Sequence, residues 1–212
     1  MITTILFDFG GVITTSPFDG FAAYEREIGV PDGLIRKINS TKPNENAWAQ
    51  FERNEVEKEQ FLDLFAQEAF ALGYEVDPER VLQCLSTEVR PNMVRAVKQL
   101  SQTYTTAILT NNLMEVPDTE THHGPSREHL GSVSAIVHAI IESSKIGVRK
   151  PDLAFYQIAC DQLNVSPHEC VFLDDLGINL KPAKSMGMTT IKVISENQAL
   201  HDLEQLLSCT LT

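Results

Sequence analysis

Short apolar runs, each closing on polar residues, alternate with stretches of helical periodicity along most of this chain. Residues 2–7 end at Asp8, residues 105–109 at Thr110-Asn111-Asn112, and residues 170–173 at Asp174-Asp175. Residues 135–141 and 189–193 are weaker runs of the same kind. Apolar runs this short, bounded by polar residues, predict strands buried on both faces. Residues 91–102, 151–163 and 179–186 carry helical periodicity, with Pro151 starting the second helix and Asp152 in its first turn. Strands alternating with helices predict an α/β fold: a Rossmann-like, mostly parallel sheet with helices on both faces. Ligands of such sheets sit beyond the carboxyl ends of the strands. The polar residues after three separate strands would all arrive at that one edge.

Residues 17–88 follow a different rule. Pro31, Pro43 and Pro78 punctuate them, and apolar residues recur at helical spacing, as in Trp48, Phe51 and Val56, then Phe61, Leu64, Phe65 and Ala69. No good strand candidate occurs there. The expected organisation is a core domain made of residues 1–16 and 89–212, with residues 17–88 inserted as a helical cap over the site. Most of the aromatic stripe reads as the cap's own core, with one or two rings left to face a substrate. Residues 113–134 read as a long polar loop, and loops of that length are usually functional or poorly ordered. Its His122, His123 and His129 lack a supporting Cys or carboxylate spacing, so incidental histidines are the better reading than a metal site.

Charge narrows the partners. Among 212 residues, 17 Lys and Arg against 29 Asp and Glu give a net charge of −12. That balance argues against nucleic acid or an anionic membrane as the main partner, since both reward a basic face. Cys84, Cys160, Cys170 and Cys209 form no CxxC pair and read as thiols in a reducing compartment. The sequence opens without a basic leader or a long apolar run, and no stretch approaches the length of a membrane span. A cytoplasmic protein is expected.

Three polar strand ends, and a lysine before a predicted helix, carry the candidate chemistry. Asp8 precedes Phe9-Gly10-Gly11, where the glycines let the backbone turn sharply and approach a ligand. A carboxylate there can attack phosphorus and form an aspartyl-phosphate. Asp174-Asp175 are two adjacent acids that are awkward to hold together without a cation, and Mg²⁺ is a hard ion that takes oxygen ligands. Asp8, the Gly10 carbonyl and Asp175 can supply those ligands, with Asp174 and Asn179 orienting them. Thr110 and Asn111 offer a hydroxyl, an amide and backbone N–H groups to phosphate oxygens. Lys150, before Pro151, offers a fixed ammonium to offset charge on the nucleophile and the transferred group.

With these four motifs in order, Leu-Phe-Asp8-Phe-Gly-Gly-Val, Ile-Leu-Thr110-Asn-Asn, Gly-Val-Arg-Lys150-Pro-Asp and Val-Phe-Leu-Asp174-Asp175-Leu-Gly-Ile-Asn179, the chain resembles the haloacid dehalogenase-like superfamily. The last two motifs and their flanks are similar to the N-terminal phosphatase domain of soluble epoxide hydrolase and related phosphatases. The resemblance implies an Mg²⁺-dependent hydrolase, a phosphatase acting on a small phosphorylated molecule, with a homodimer left open. It makes Asp8 the nucleophile and a metal ligand, Thr110 and Asn111 the phosphate binders, and Lys150 the charge stabiliser. Asp175 completes the metal site, supported by Asp174 and Asn179. One position departs from the pattern. Phosphatases of this superfamily usually carry a second Asp two residues after the nucleophile, to protonate the leaving group and then activate water, and this chain has Gly10. That departure keeps two alternatives in play: a very slow or non-catalytic phosphate-binding protein, and a haloacid dehalogenase, whose halide leaves without an acid but which usually lacks the acidic metal cluster.

Overall fold

The computed structural model describes residues 1–111 and 125–211, the side chains of residues 125–129 excepted. Five strands form one sheet: β1 (Thr4–Phe7), β2 (Thr105–Thr110), β3 (Ala139–Glu142), β4 (Cys170–Asp174) and β5 (Thr189–Lys192). Every pairing is parallel and the order is β3-β2-β1-β4-β5. Five helices lie between β1 and β2's leading helix: α1 (Pro17–Ile28), α2 (Leu34–Ser40), α3 (Ala47–Glu52), α4 (Lys58–Ala71) and α5 (Pro78–Gln83). The rest alternate with strands: α6 (Pro91–Leu100), α7 (Pro125–Ser134), α8 (Ser143–Ile146), α9 (Leu153–Leu163), α10 (Gly177–Ser185) and α11 (Glu196–Leu207). Among the described residues, no helix is long and apolar enough to cross a membrane.

Successive strand side chains point to opposite faces, and here both faces are covered. Ile5 and Phe7 pack with Met93 and Val97 of α6 and Leu203 of α11. Leu6 packs on the other side with Phe155 and Tyr156 of α9 and Ala183 of α10. Full burial of side chains this large is worth roughly 1.5–3 kcal/mol each, so the central strands are anchored on both faces. Their ends are thereby fixed in space.

Helices α1–α5 build a third apolar cluster of their own. Trp48 packs edge-on against Phe21 and Phe61, at centroid distances of 6.1 and 5.6 Å, and Phe51 stacks on Phe61 at 4.6 Å. Trp48, Phe51, Phe61, Phe65 and Ala69 are all buried in it. The stripe is therefore core, and none of these rings is a surface group. The chain enters and leaves this insertion through adjacent linkers: Thr14 and Val89 form an antiparallel bridge, and the Thr15 amide donates to the Glu88 carbonyl at 2.8 Å.

Several boundaries differ from the sequence expectation. The strand expected over 135–141 is β3, Ala139–Glu142, and the helix before it runs to Ser134. His138 explains the late start: its amide donates to Thr106, while its ring nitrogen accepts from the Thr106 amide at 3.1 Å, occupying the edge where a strand would pair. The long loop expected over 113–134 is helical from Pro125 onward. His122 and His123, and the His129 side chain, lie outside the described residues. Asp152 is the N-cap of α9, its carboxylate accepting from the Ala154 amide at 2.9 Å, so Pro151 precedes the helix instead of starting it.

Candidate active site

The geometry of the site follows from strand pairing. Phe7 of β1 and Leu173 of β4 are register partners, so the next residues, Asp8 and Asp174, emerge side by side. The Asp8 amide extends the ladder by donating to the Leu173 carbonyl at 2.8 Å. Neighbouring strands lie about 4.8 Å apart, which alone brings two acids at the same level within reach of one ion. This is also where the topology reverses: the chain leaves β1 for β2 on one side and returns to β4 on the other. A crevice opens at such a switch point.

The turn after β1 needs glycine at one of its two glycine positions. Gly11 has φ of 77°, and a Cβ there would sit 2.4 Å from Asp175 Oδ2. Gly10, at φ −68° and ψ 130°, is in ordinary extended backbone, and a Cβ would meet only Pro17 Cδ at 3.8 Å. The backbone demands the second glycine and is indifferent to the first.

Around this turn the sequence-derived residues converge. Asp8 Oδ1 accepts from the Phe9 amide at 2.7 Å and pairs with Lys150 Nζ at 2.8 Å. The same ammonium reaches Asp174 Oδ2 at 2.9 Å, and Lys150 is only 1% exposed. Asn179 Nδ2 donates to both oxygens of Asp174, at 3.1 and 3.0 Å, and the Leu176 amide donates to Asp174 Oδ1 at 2.8 Å. Asp174, the last residue of β4, thus holds the turn that leads to α10 while facing the cluster. Asn111 clamps the backbone of Lys150 from both sides, donating to its carbonyl at 2.9 Å and accepting from its amide at 2.8 Å. Thr110 is buried at the carboxyl end of β2, the strand on the other side of β1. Gly10 lies in the turn between Asp8 and Gly11. Asn111 therefore spends its side chain on the Lys150 backbone, a positioning task that its sequence context had not shown.

The electrostatics are those of crowded anions. Ligand oxygens of Asp8, Asp174 and Asp175 lie within 4.8 Å of one another. Burial raises the Asp8 carboxyl well above its ordinary value; Lys150 opposes the rise and Asp174 adds to it. Burial and then Asp174 push Asp175 up to about 6. Burial alone would lower the Lys150 ammonium, but the attraction of Asp174 and Asp8 outweighs it and holds the group above the usual lysine value. One ammonium cannot balance three carboxylates, and the surplus negative charge with all-oxygen donors fits a hard divalent cation.

Three supporting residues carry no motif. Arg90 Nη1 donates to the Gly11 carbonyl at 2.8 Å, holding the turn from the outgoing linker. Ser16 Oγ lies 3.5 Å from Asp175 Oδ2, and Tyr156 donates its hydroxyl to the Asn179 carbonyl at 2.7 Å. No spacing in the sequence singles these three out, because their partners lie far along the chain.

A parallel sheet with three acids and a buried lysine at its switch point defines an acidic strand-end site of an α/β fold. The haloacid dehalogenase-like hydrolase profile matches residues 2–187, and the chain belongs to that family. It is 32% identical over 209 residues to mouse (Mus musculus) acyl-CoA dehydrogenase family member 10, covering 96% of this chain and 19% of that protein. It is 30% identical to mouse bifunctional epoxide hydrolase 2, covering 94% of this chain and 38% of that protein. The chain thus spans about a fifth and two fifths of these longer relatives. Sesquiterpene phosphatase astK of Aspergillus oryzae is 25% identical, with 96% of each chain covered. A (S)-2-haloacid dehalogenase of a Pseudomonas species is 30% identical over 61% of this chain and 55% of its own length. Among solved structures, a Bacteroides thetaiotaomicron enzyme of the same superfamily in complex with magnesium and inorganic phosphate superposes with a TM-score of 0.60 at 17% identity, covering 91% and 94% of the two chains.

Proposed function

We propose that this chain is an Mg²⁺-dependent phosphatase that hydrolyses a small phosphate monoester through an aspartyl-phosphate on Asp8. The observation that carries the reading is the cluster itself: three carboxylates within 4.8 Å, with one buried ammonium touching two of them. In this reading Asp8, Asp175 and the Gly10 carbonyl hold the cation, with Asp174 and Asn179 behind them. When bound, the ion supplies positive charge that neutralises the carboxylates and the phosphoryl oxygens. Asp8 attacks phosphorus; the bond from phosphorus to the ester oxygen breaks and the alcohol departs with a proton from solvent. Water then attacks phosphorus of the acyl phosphate, releasing inorganic phosphate and regenerating Asp8. Thr110 and the backbone amides near it bind phosphoryl oxygens, and Asn111 acts in addition by fixing Lys150. Helices α1–α5 serve as the cap, and residues 17–88 form a domain separate from the core of residues 1–16 and 89–212. The four free cysteines suit a reducing, cytoplasmic setting.

Gly10 favours a second reading, a protein that binds phosphate and turns over very slowly. A positioned proton donor is typically worth roughly 10²–10⁴-fold in rate, and a glycine supplies none. The acid cluster weighs against dehalogenation, which has no use for a divalent cation. The test is release of phosphate from an aryl phosphate, whose leaving group needs little protonation, by wild type, Asp8→Asn and Gly10→Asp. Activity that needs Mg²⁺ and is absent in Asp8→Asn supports the phosphatase. Undiminished activity in Asp8→Asn ends it. Since a Cβ at position 10 has room, a large gain in Gly10→Asp on an alkyl phosphate shows that the missing acid limits the rate.

A further inference from the structure

A buried ion pair joins the helical insertion to the loop that carries Lys150. Arg149, the residue before Lys150, places Nε 2.6 Å from Glu52 Oε2, and both side chains are largely buried. Arg149 also donates from Nη1 to the Pro43 carbonyl at 3.0 Å, so the guanidinium reaches two segments of the insertion at once. Glu52 ends α3 and is anchored from behind: the Trp48 indole N–H donates to Glu52 Oε1 at 2.9 Å. Trp48 in turn sits in the aromatic cluster of Phe21, Phe61 and Phe65. A continuous path of contacts therefore runs from the insertion's core through Trp48, Glu52 and Arg149 to Lys150, and from its ammonium to Asp8 and Asp174.

We propose that Glu52 and Arg149 are positioning residues that couple the packing of helices α1–α5 against the Lys150 loop to the placement of the Lys150 ammonium on Asp8. Two features argue for coupling over adhesion. Glu52 is a carboxylate buried where the insertion meets the Lys150 loop, and a buried charge is tolerated only while its partner is present. That partner belongs to the other layer of the molecule, so the pair is made only when the insertion is packed against the Lys150 loop. Lys150, meanwhile, has its backbone clamped by Asn111, and the adjacent Arg149 is the other point at which its loop is held. Arginine suits the role, because its planar fork can grip a carboxylate and a carbonyl together where a lysine meets one. Burial raises the Glu52 carboxyl, opposed by Arg149 and by Trp48.

The consequence for turnover rests on the proposed phosphatase reading; the structural coupling does not, and the experiment separates them. Glu52→Gln, Arg149→Met, Arg149→Lys and the Glu52→Gln/Arg149→Met double variant are compared with wild type. Mg²⁺-dependent release of phosphate from an aryl phosphate gives kcat and KM. Amide hydrogen exchange of residues 43–52 and 147–151, measured without substrate, gives the coupling. The expected result is a fall in kcat of roughly tenfold to a hundredfold in Glu52→Gln and in Arg149→Met, the range for small misplacement of a catalytic group. KM changes little, the double variant is no worse than the worse single, and Arg149→Lys recovers part of kcat. Exchange quickens in both segments in every variant lacking the pair. Glu79→Gln, which removes an exposed ion pair with Lys58 elsewhere in the insertion, alters neither readout. Quickened exchange confined to residues 43–52, with kcat unchanged, would overturn the proposal. So would losses in kcat that multiply in the double variant, since they assign the two residues separate roles. A wild type that releases no phosphate refutes the phosphatase reading and leaves the exchange arm to decide the coupling.

Discussion

Replacing Lys150 by Met removes one charge from the most crowded point of the molecule and keeps most of the side chain's volume. The ammonium is 2.8 Å from Asp8 and 2.9 Å from Asp174, which are 8% and 0% exposed. Removing one member of a buried ion pair costs roughly 3–5 kcal/mol, because the remaining charge stays desolvated. Here the lower end applies, about 3 kcal/mol, since Asn179 and the Leu176 amide continue to serve Asp174 and the Phe9 amide continues to serve Asp8. For a chain of this length that is a drop in melting temperature of roughly 6–12 °C. Urea unfolding in the absence of divalent ions should show a lower midpoint with an unchanged m value. Mg²⁺ should return part of the loss, since it supplies positive charge to the same carboxylates. A Lys150→Met protein as stable as wild type without Mg²⁺ would refute the view that this lysine holds the anions together.

Further outcomes follow from the same geometry. Gly11→Ala forces a Cβ against Asp175 at φ of 77° and should destabilise by more than about 1 kcal/mol, whereas Gly10→Ala should unfold at nearly the wild-type urea concentration. Mg²⁺ at a hundred times its Kd should stabilise wild type by about 2.7 kcal/mol in thermal unfolding, and Asp175→Asn should lose most of that gain. The folded-state value of Glu52 is raised, by burial above all, so its contribution is favourable below the ordinary glutamate value, about 4.3, and is lost as pH rises. Wild type should therefore lose stability relative to Glu52→Gln between acid and neutral pH in urea titrations, and a difference that grows in wild type's favour would contradict the raised value.

Much of this was legible in the chain because strand ends announce themselves. Apolar runs that stop at Asp8, Thr110 and Asp174 located three strands to within two residues, and a parallel sheet then had to bring their ends to one edge. The start of edge strand β3 was set too early because Ala135, Ile136 and Val137 are apolar enough to pass for strand, and only the pairing of His138 with Thr106 shows where the ladder begins. Gly10 and Gly11 looked alike in sequence; φ and the position of Asp175 distinguish them. The roles of Arg90, Ser16 and Tyr156 depend on contacts between residues distant in sequence, and no local spacing records those. Glu52 was one acid among many in a helical stretch until its partner Arg149 was seen.

The account turns on Asp8 forming a covalent bond to phosphorus beside a shared cation. With no acid at position 10 to activate water, an aryl phosphate should transfer its phosphoryl group faster than the resulting acyl phosphate is hydrolysed. Mixing enzyme with a chromogenic aryl phosphate and Mg²⁺ should then give a burst of phenolate close to the enzyme concentration. Acid quenching and peptide mass spectrometry should find phosphate on Asp8. Chelator should abolish both signals. Steady turnover in chelator, or a burst from the Asp8→Asn protein, would contradict the account directly.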